Sequence, residues 1–286
     1  MAVVDLPLTY TIVHVVAEIF DIDSMPRGGP DASWLDRRLQ TDRLEYHLHR
    51  DDDHLKRSVV RSLDRLGRIG GNHKKFARIA LDEVADVPDP KILELGAGHG
   101  GLSRVLLEMH PTAHVTVTDI EPTSVAAIAA GDLGRHPRAV VREMDATAID
   151  APDGYYDLAV FALSFHQLPP PLAARVFAEG TRVADKLLII DLPRRPSPLH
   201  LVALALWLPL AMVVPVLHDG FISSLRAYSP SALRALARYA DPAITVELRR
   251  SAFSPHLQIV VASPLRSGRQ TVASAVFPPC PPRICR

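Results

Sequence analysis

Apolar and polar residues alternate between two regimes along the middle of this chain. Short apolar runs, KILEL from Lys91, HVTVT from His114, AVVRE from Ala139, the stretch Tyr156 to Ala162 and Lys186 to Asp191, read as strands. Segments of helical spacing lie between them. Leu102, Val105, Leu106 and Met109 recur at three and four residues after the first run. Leu172 to Val183 reads as another helix, with Pro169 to Pro171 fixing its start. Continuous rather than alternating apolar runs are expected of parallel strands buried on both faces. Two later segments, Ala243 to Arg250 and His256 to Ser263, alternate in strand fashion around a short SAFSP turn and predict an antiparallel hairpin.

The first strand closes on KILELGAGHGG, with Gly96, Gly98, Gly100 and Gly101 within six positions. Strand, glycine turn, helix is the context in which bare backbone and helix N–H groups approach a nucleoside. Two patterns fit: Gly96, Gly98 and Gly101 satisfy G-x-G-x-x-G, whereas Glu94, Gly96, Gly98 and Gly100 satisfy E-x-G-x-G-x-G. The first suggests a dinucleotide and the second S-adenosylmethionine. Asp119, 23 residues beyond Gly96 at the end of the second strand, can accept both ribose hydroxyls in either case. The third strand is followed by Met144 and Asp145, an apolar residue beside an acid.

The motifs ILELGAGHG, TVTDIEP, MDATAID, YYDLAVFALSFHQL and KLLIIDLPR occur over residues 70 to 193 in an order and spacing that resemble a class I S-adenosylmethionine-dependent methyltransferase. The resemblance implies an α/β, Rossmann-like, seven-stranded, mostly parallel sheet with helices on both faces and a C-terminal antiparallel hairpin. It also implies S-adenosylmethionine as cofactor, held by Glu94, Gly96, Ala97, Gly98, Gly100, Asp119, Ile120, Met144, Asp145, Ala146 and Phe161. It leaves the acceptor open, since one scaffold serves many substrates.

The expected organisation is a mostly helical extension over 1–86, the methyltransferase domain over 87–263 and a disordered tail over 264–286. Lys56 to Arg78 carries eight basic residues against Asp64, with an apolar stripe through Val59, Leu63 and Leu66. The apolar start, MAVVDLPLTYTIVHVVAEIF, has no basic residue before Arg27 and is not a secretory signal. Leu199 to Leu217 is nineteen residues without formal charge. Spanning a bilayer there would separate strands that must pair, and Pro209 and Pro215 would break a continuous helix. An apolar cap inserted over about 195–230 is expected instead, leaving peripheral membrane contact open.

A cap of that kind makes a pocket for a small apolar acceptor, aromatic, quinone-like or lipid-like, methylated on oxygen or carbon. His166, in ALSFHQL after the fourth strand, is the leading proton acceptor. His218 beside Asp219 is a second candidate, with His73 and His99 behind it. Leu163 to His166 departs from the Asn/Asp-Pro-Pro-aromatic signature typical of exocyclic-amine methylation. The zero formal charge gives no pull toward nucleic acid, which is an unlikely partner. No metal site is expected: the only cysteines, Cys280 and Cys285, lie in the Pro-rich tail, and no histidine pair has ligand spacing. A reducing cytoplasm is the simplest compartment, and the oligomeric state is not encoded. Two other readings stay open. An NAD-dependent oxidoreductase would need a hydride-handling site, and no Tyr-x-x-x-Lys occurs. An accessory protein would bind the cofactor without turnover.

Overall fold

The computed structural model describes residues 21–43, 71–211, 214–251 and 254–265. A 3₁₀ turn at Ile22–Ser24 and α1 (Trp34–Arg38) precede α2 (Asn72–Glu83). There follow β1 (Lys91–Leu95), α3 (Gly101–Met109), β2 (His114–Asp119), α4 (Pro122–Ala130), β3 (Ala139–Glu143), β4 (Tyr156–Ala162), α5 (Pro170–Val183) and β5 (Ala184–Asp191). The chain closes with α6 (Ser197–Ala211), α7 (Pro215–Arg226), α8 (Pro230–Ala240), β6 (Ile244–Ser251) and β7 (Ser254–Pro264).

The seven strands form one sheet in the order β3-β2-β1-β4-β5-β7-β6. β1 to β5 run parallel, and β7 is antiparallel to both β5 and β6. The hairpin therefore closes the sheet through its second strand. Successive side chains of a strand point to opposite faces, so a doubly covered strand must be apolar at every position. Leu93, Leu95, Ala159, Phe161, Leu187 and Ile189 join a core with α5 and α8. Their neighbours Ile92, Leu158, Val160, Leu188 and Ile190 join a second core with α2, α3 and α4. The uninterrupted apolar runs follow from this two-sided burial.

β1 continues into β2 on one side, while β4 lies on its other side, so the strand order reverses between β1 and β4. In open α/β sheets that switch point leaves a crevice beyond the carboxyl ends of the strands, where ligands bind. The long apolar stretch forms α6 and α7, packed against each other. One detail corrects the sequence reading: α6 runs through Pro209 to Ala211, and the break falls only before Pro215. Proline so near a helix C-terminus frees a single upstream carbonyl, a small loss for a helix that ends two residues later. No helix among the described residues is long and apolar enough to cross a membrane. The helical extension is described over α1 and α2. The apolar start, most of the basic stretch and the Pro-rich tail lie outside the described residues.

Candidate active site

The turn after β1 is a chain of left-handed residues, with Gly96 at φ 64°, Gly98 at 58° and Gly100 at 70°. Side chains resist that region, and space adds to the demand. A Cβ on Gly96 would lie 2.8 Å from the Phe161 ring, whereas at Gly98 nothing lies within 4 Å. The backbone at Gly98 therefore faces open space at the crevice. The turn is tied to the end of β2, because the Ala97 N–H donates to the Thr118 carbonyl at 2.8 Å and the Gly98 N–H donates to Asp119 Oδ2 at 2.8 Å. Asp119 Oδ1 accepts from the Glu121 N–H at 2.9 Å, so both carboxylate oxygens are held by backbone.

Glu94 sits beneath this turn, 4% exposed, accepting a hydrogen bond from the Ser103 hydroxyl of α3. Burial pushes its carboxyl up to about 7, against the opposing pull of the Ser103 bond. Thr118 Oγ1 donates to the Glu94 carbonyl at 2.7 Å, completing a link between β1, β2 and α3. Glu94 is thus a brace of the turn. Around it, Ile120 is 64% exposed, Met144 is buried and Ala146 is half-buried. Asp145 is exposed and accepts from Thr147 N–H and Oγ1, both at 2.8 Å. Phe161 is buried, edge-on to Phe165 with centroids 6.0 Å apart.

The adjacent end of the sheet is built differently. Leu163, just past β4, has φ 56°, a conformation that a branched side chain adopts only under constraint. Its N–H donates to the Ile190 carbonyl at 2.8 Å, which locks the chain into a 3₁₀ turn over Phe165–Gln167. That turn delivers His166, 4% exposed, to the end of β5. His166 Nδ1 lies 2.7 Å from Asp191 Oδ1, and the His166 N–H donates to Asp191 Oδ2 at 2.7 Å. Asp191 Oδ1 also accepts from the Leu192 N–H at 2.8 Å. A carboxylate facing Nδ1 favours the proton there and makes Nε2 the basic nitrogen.

Two buried arginines, Arg27 and Arg226, hold this turn, and a third, Arg194, ties α1 to the end of α7 beside it. Arg27 Nη1 donates to the carbonyls of His166 and Leu168 at 2.8 Å and of Arg226 at 3.1 Å. Arg226 donates through Nε to the His166 carbonyl at 3.4 Å and through Nη1 to Arg43 at 2.8 Å. Arg194 pairs with Asp36 at 2.8 Å and donates to the carbonyls of Leu39, Leu225 and Ala227. The guanidinium of Arg27 also rests 4.5 Å from the centroid of Tyr228, and burial pulls its pKa below the usual value. Planar guanidinium groups suit this task because five donors can satisfy several carbonyls at once.

The structure joins Glu94, Ala97, Gly98, Gly100 and Asp119 in one hydrogen-bonded unit and pairs His166 with Asp191. His218 Nδ1 lies 3.7 Å from Asp219 Oδ1 on α7. His73 packs on Gly101, where a Cβ would lie 2.6 Å from Nε2, and with His99, Arg104 and Glu108 lines a cleft of about 460 Å³ beside α3 and α4. Among the described residues no cluster of His, Cys, Asp and Glu could hold a metal ion. Sequence reading did not single out Asp191, Arg27, Arg194 or Arg226. Only Asp191 carried a local signal, as an acid ending an apolar strand beside the one that ends in SFH.

A sheet of this order, with a glycine turn after β1 and an acid ending β2, defines a class I S-adenosylmethionine-dependent methyltransferase, and the chain is an enzyme of that class with S-adenosylmethionine as its cofactor. Residues 92–186 match the family model described as a methyltransferase domain. A demethylmenaquinone methyltransferase of Thermus thermophilus is 29% identical over 203 residues, spanning 65% of this chain and 89% of the relative. A malonyl-[acyl-carrier protein] O-methyltransferase of Geobacter sulfurreducens is 35% identical over 97 residues, which is 34% of this chain and only 35% of that protein. Among solved structures, a plantazolicin methyltransferase in complex with a desmethyl analogue and S-adenosylhomocysteine shares the fold at a TM-score of 0.58 and 13% identity. The match covers 75% of this chain and 92% of that one.

Proposed function

We propose that this enzyme methylates an oxygen or carbon atom of a small, apolar acceptor, aromatic or quinone-like, and that His166 takes the acceptor's proton. The observation that carries the reading is the His166–Asp191 pair, buried where β4 and β5 end and held by arginines that also bind the cap helix α7. The Thermus thermophilus relative is a demethylmenaquinone methyltransferase, which agrees with a quinone-like ring.

The residues at the glycine turn fit the cofactor. Gly98 offers backbone with no atom standing in the way, Asp119 offers two oxygens to a ribose, and the exposed Ile120 offers a flat apolar contact for a purine. Asp145, with Met144 and Ala146, would complete the adenine end, while Gly96, Ala97 and Gly100 shape the turn and Phe161 backs it. Glu94 acts here through the turn that it braces. The cofactor supplies a methyl group on a sulfonium, which leaves as a neutral thioether and needs little covalent help. What remains for the protein is alignment, exclusion of water and removal of a proton. Asp191 holds His166 in the tautomer whose Nε2 can accept that proton, and the arginine-held turn fixes the imidazole in place.

The test is transfer of labelled methyl groups to a panel of phenols and reduced naphthoquinones with increasing alkyl tails. Turnover is expected to rise with tail length. His166→Ala should lower kcat by roughly 10²–10⁴ at unchanged cofactor affinity, the range typical of a lost general base. Equal loss of cofactor binding and turnover would sink the assignment of His166, and a panel without any product would sink the acceptor class.

A further inference from the structure

Helix α6 is apolar all round and mostly uncovered. Leu199, Leu201, Val202, Leu206 and Trp207 are 46–75% exposed, while His200 and Leu204, on the stripe that Leu201 and Trp207 flank, are buried. Single exposed apolar residues are ordinary, but five large ones on one helix form a patch that soluble surfaces avoid unless it is used. The sequence has two tryptophans, and both are exposed: Trp207 on α6 at 53% and Trp34 on α1 at 70%. Indole prefers a boundary that is apolar on one side and wet on the other.

The foot of α6 is basic. Ser33 Oγ lies 3.4 Å from Ser197 Oγ, and Arg194 of the connecting segment pairs with Asp36, so α1 sits against the N-terminal end of α6. At that end Arg37, Arg38 and Arg195 are exposed, with Arg38 lying 5.0 Å from the centroid of the Trp34 ring, against the exposed Asp31. An apolar helix with a tryptophan and arginines at one end matches an anionic lipid surface, whose headgroups take the cations and whose acyl boundary takes the leucines. Fifteen residues span only about 22 Å, short of the roughly 30 Å hydrocarbon core. Both ends of the α6–α7 unit are also anchored to the same sheet. The helix can lie in the interface and cannot cross it.

We propose that α6 and α1 form a membrane-docking face, with α6 lying in the headgroup region of an anionic bilayer. The face is independent of which acceptor the enzyme uses. It would nevertheless bring the cap, and the arginine-held turn behind it, to the surface where an apolar acceptor resides.

The full chain would be mixed with vesicles of phosphatidylcholine alone and of phosphatidylcholine with an equal share of phosphatidylglycerol. Cosedimentation and tryptophan emission would be followed. Binding to the anionic vesicles with a blue shift is expected, and it should persist in both single-tryptophan proteins, Trp34→Phe and Trp207→Phe. Because the residues are exposed, Val202→Asp/Leu206→Asp should fold normally and partition at least about tenfold less. Each of Arg37→Glu, Arg38→Glu and Arg195→Glu should weaken binding to anionic vesicles about fivefold or more. No binding to either vesicle would overturn the proposal. So would binding untouched by the aspartates, which would assign contact to another segment, or a concentration-dependent dimer that the aspartates dissolve, which would make the face an interface between copies.

Discussion

The two ends of the crevice are made by opposite means. At the β1–β2 end, the glycine turn, Thr118, Asp119 and Glu121 bond to one another across at most 24 residues, mostly through backbone. At the β4–β5 end, the turn carrying His166 is held by Arg27 and Arg226, from 139 and 60 residues away. The first end is a product of local conformation and the sheet. The second exists only when the N-terminal segment and the cap have docked. A scaffold built in this way keeps one cofactor site while the acceptor site varies with whatever segments are added to it.

Asp191 offers the sharpest way to break the acceptor end alone. Three donors converge on its two oxygens: the Leu192 N–H, the His166 N–H and His166 Nδ1. An amide has one acceptor oxygen, so Asp191→Asn must turn its NH₂ group against one of those donors. The imidazole loses the carboxylate that fixes its tautomer. Expected is a fall in kcat of roughly 10²–10⁴ with cofactor affinity unchanged, read by steady-state kinetics and calorimetry. Equal loss of both would show that Asp191 holds the sheet end rather than the base.

Arg27 separates docking from chemistry. Arg27→Ala leaves the carbonyls of His166, Leu168 and Arg226 without this donor and should cost about 3 kcal/mol or more in chemical denaturation. Arg27→Lys keeps the charge but not the fork, and should recover part of the stability while kcat stays low. If lysine restores kcat fully, the guanidinium geometry is not what places His166.

The contrast also governs how much could be read in advance. The strands, the hairpin and the glycine turn were legible because their causes are local: apolar runs for two-sided burial, glycine for positive φ and an acid at a strand end. Arg27, Arg194 and Arg226 look like surface residues in the sequence, since nothing near them announces burial. Their burial depends on carbonyls that only the assembled chain brings within reach. Leu163 was hidden as well, because nothing in its own residue type or its neighbours marks a positive φ. The continuation of α6 through Pro209 is a matter of position, since a proline two residues before the helix end frees a single carbonyl.

Asp119 tests the other half. With both oxygens held by backbone N–H groups, its replacement should leave the acceptor end untouched. Asp119→Ala should weaken S-adenosylmethionine binding by about 1.5–3 kcal/mol, roughly ten- to a hundredfold, through loss of charge-assisted hydrogen bonds. Unchanged affinity by calorimetry would remove the ribose assignment. A fall in kcat at saturating cofactor would instead mean that the two ends are less separate than their bonding suggests.

The smallest effect concerns the seam between cap and body. His200 on α6 is 2% exposed; its Nε2 lies 3.3 Å from Ser224 Oγ on α7, and its Nδ1 has no partner among the described residues. Burial, aided by the nearby Arg194 charge, pushes its pKa down to about 4 from an ordinary value near 6.5. Between those values the unfolded chain binds a proton that the folded chain refuses. Stability from this site is therefore complete above pH 6.5 and is lost as the pH falls toward 4, by on the order of 1–3 kcal/mol. His200→Leu removes the titration, and the Ser224 hydroxyl keeps its bond to the Phe221 carbonyl at 2.8 Å. The difference in unfolding free energy between the two proteins, measured from pH 7.5 to 4.5, should shift in favour of the leucine variant on the acid side. A difference that stays flat over that range would mean that the cap opens to let His200 take its proton without cost. The acceptor end would then be mobile as well as built from distant parts.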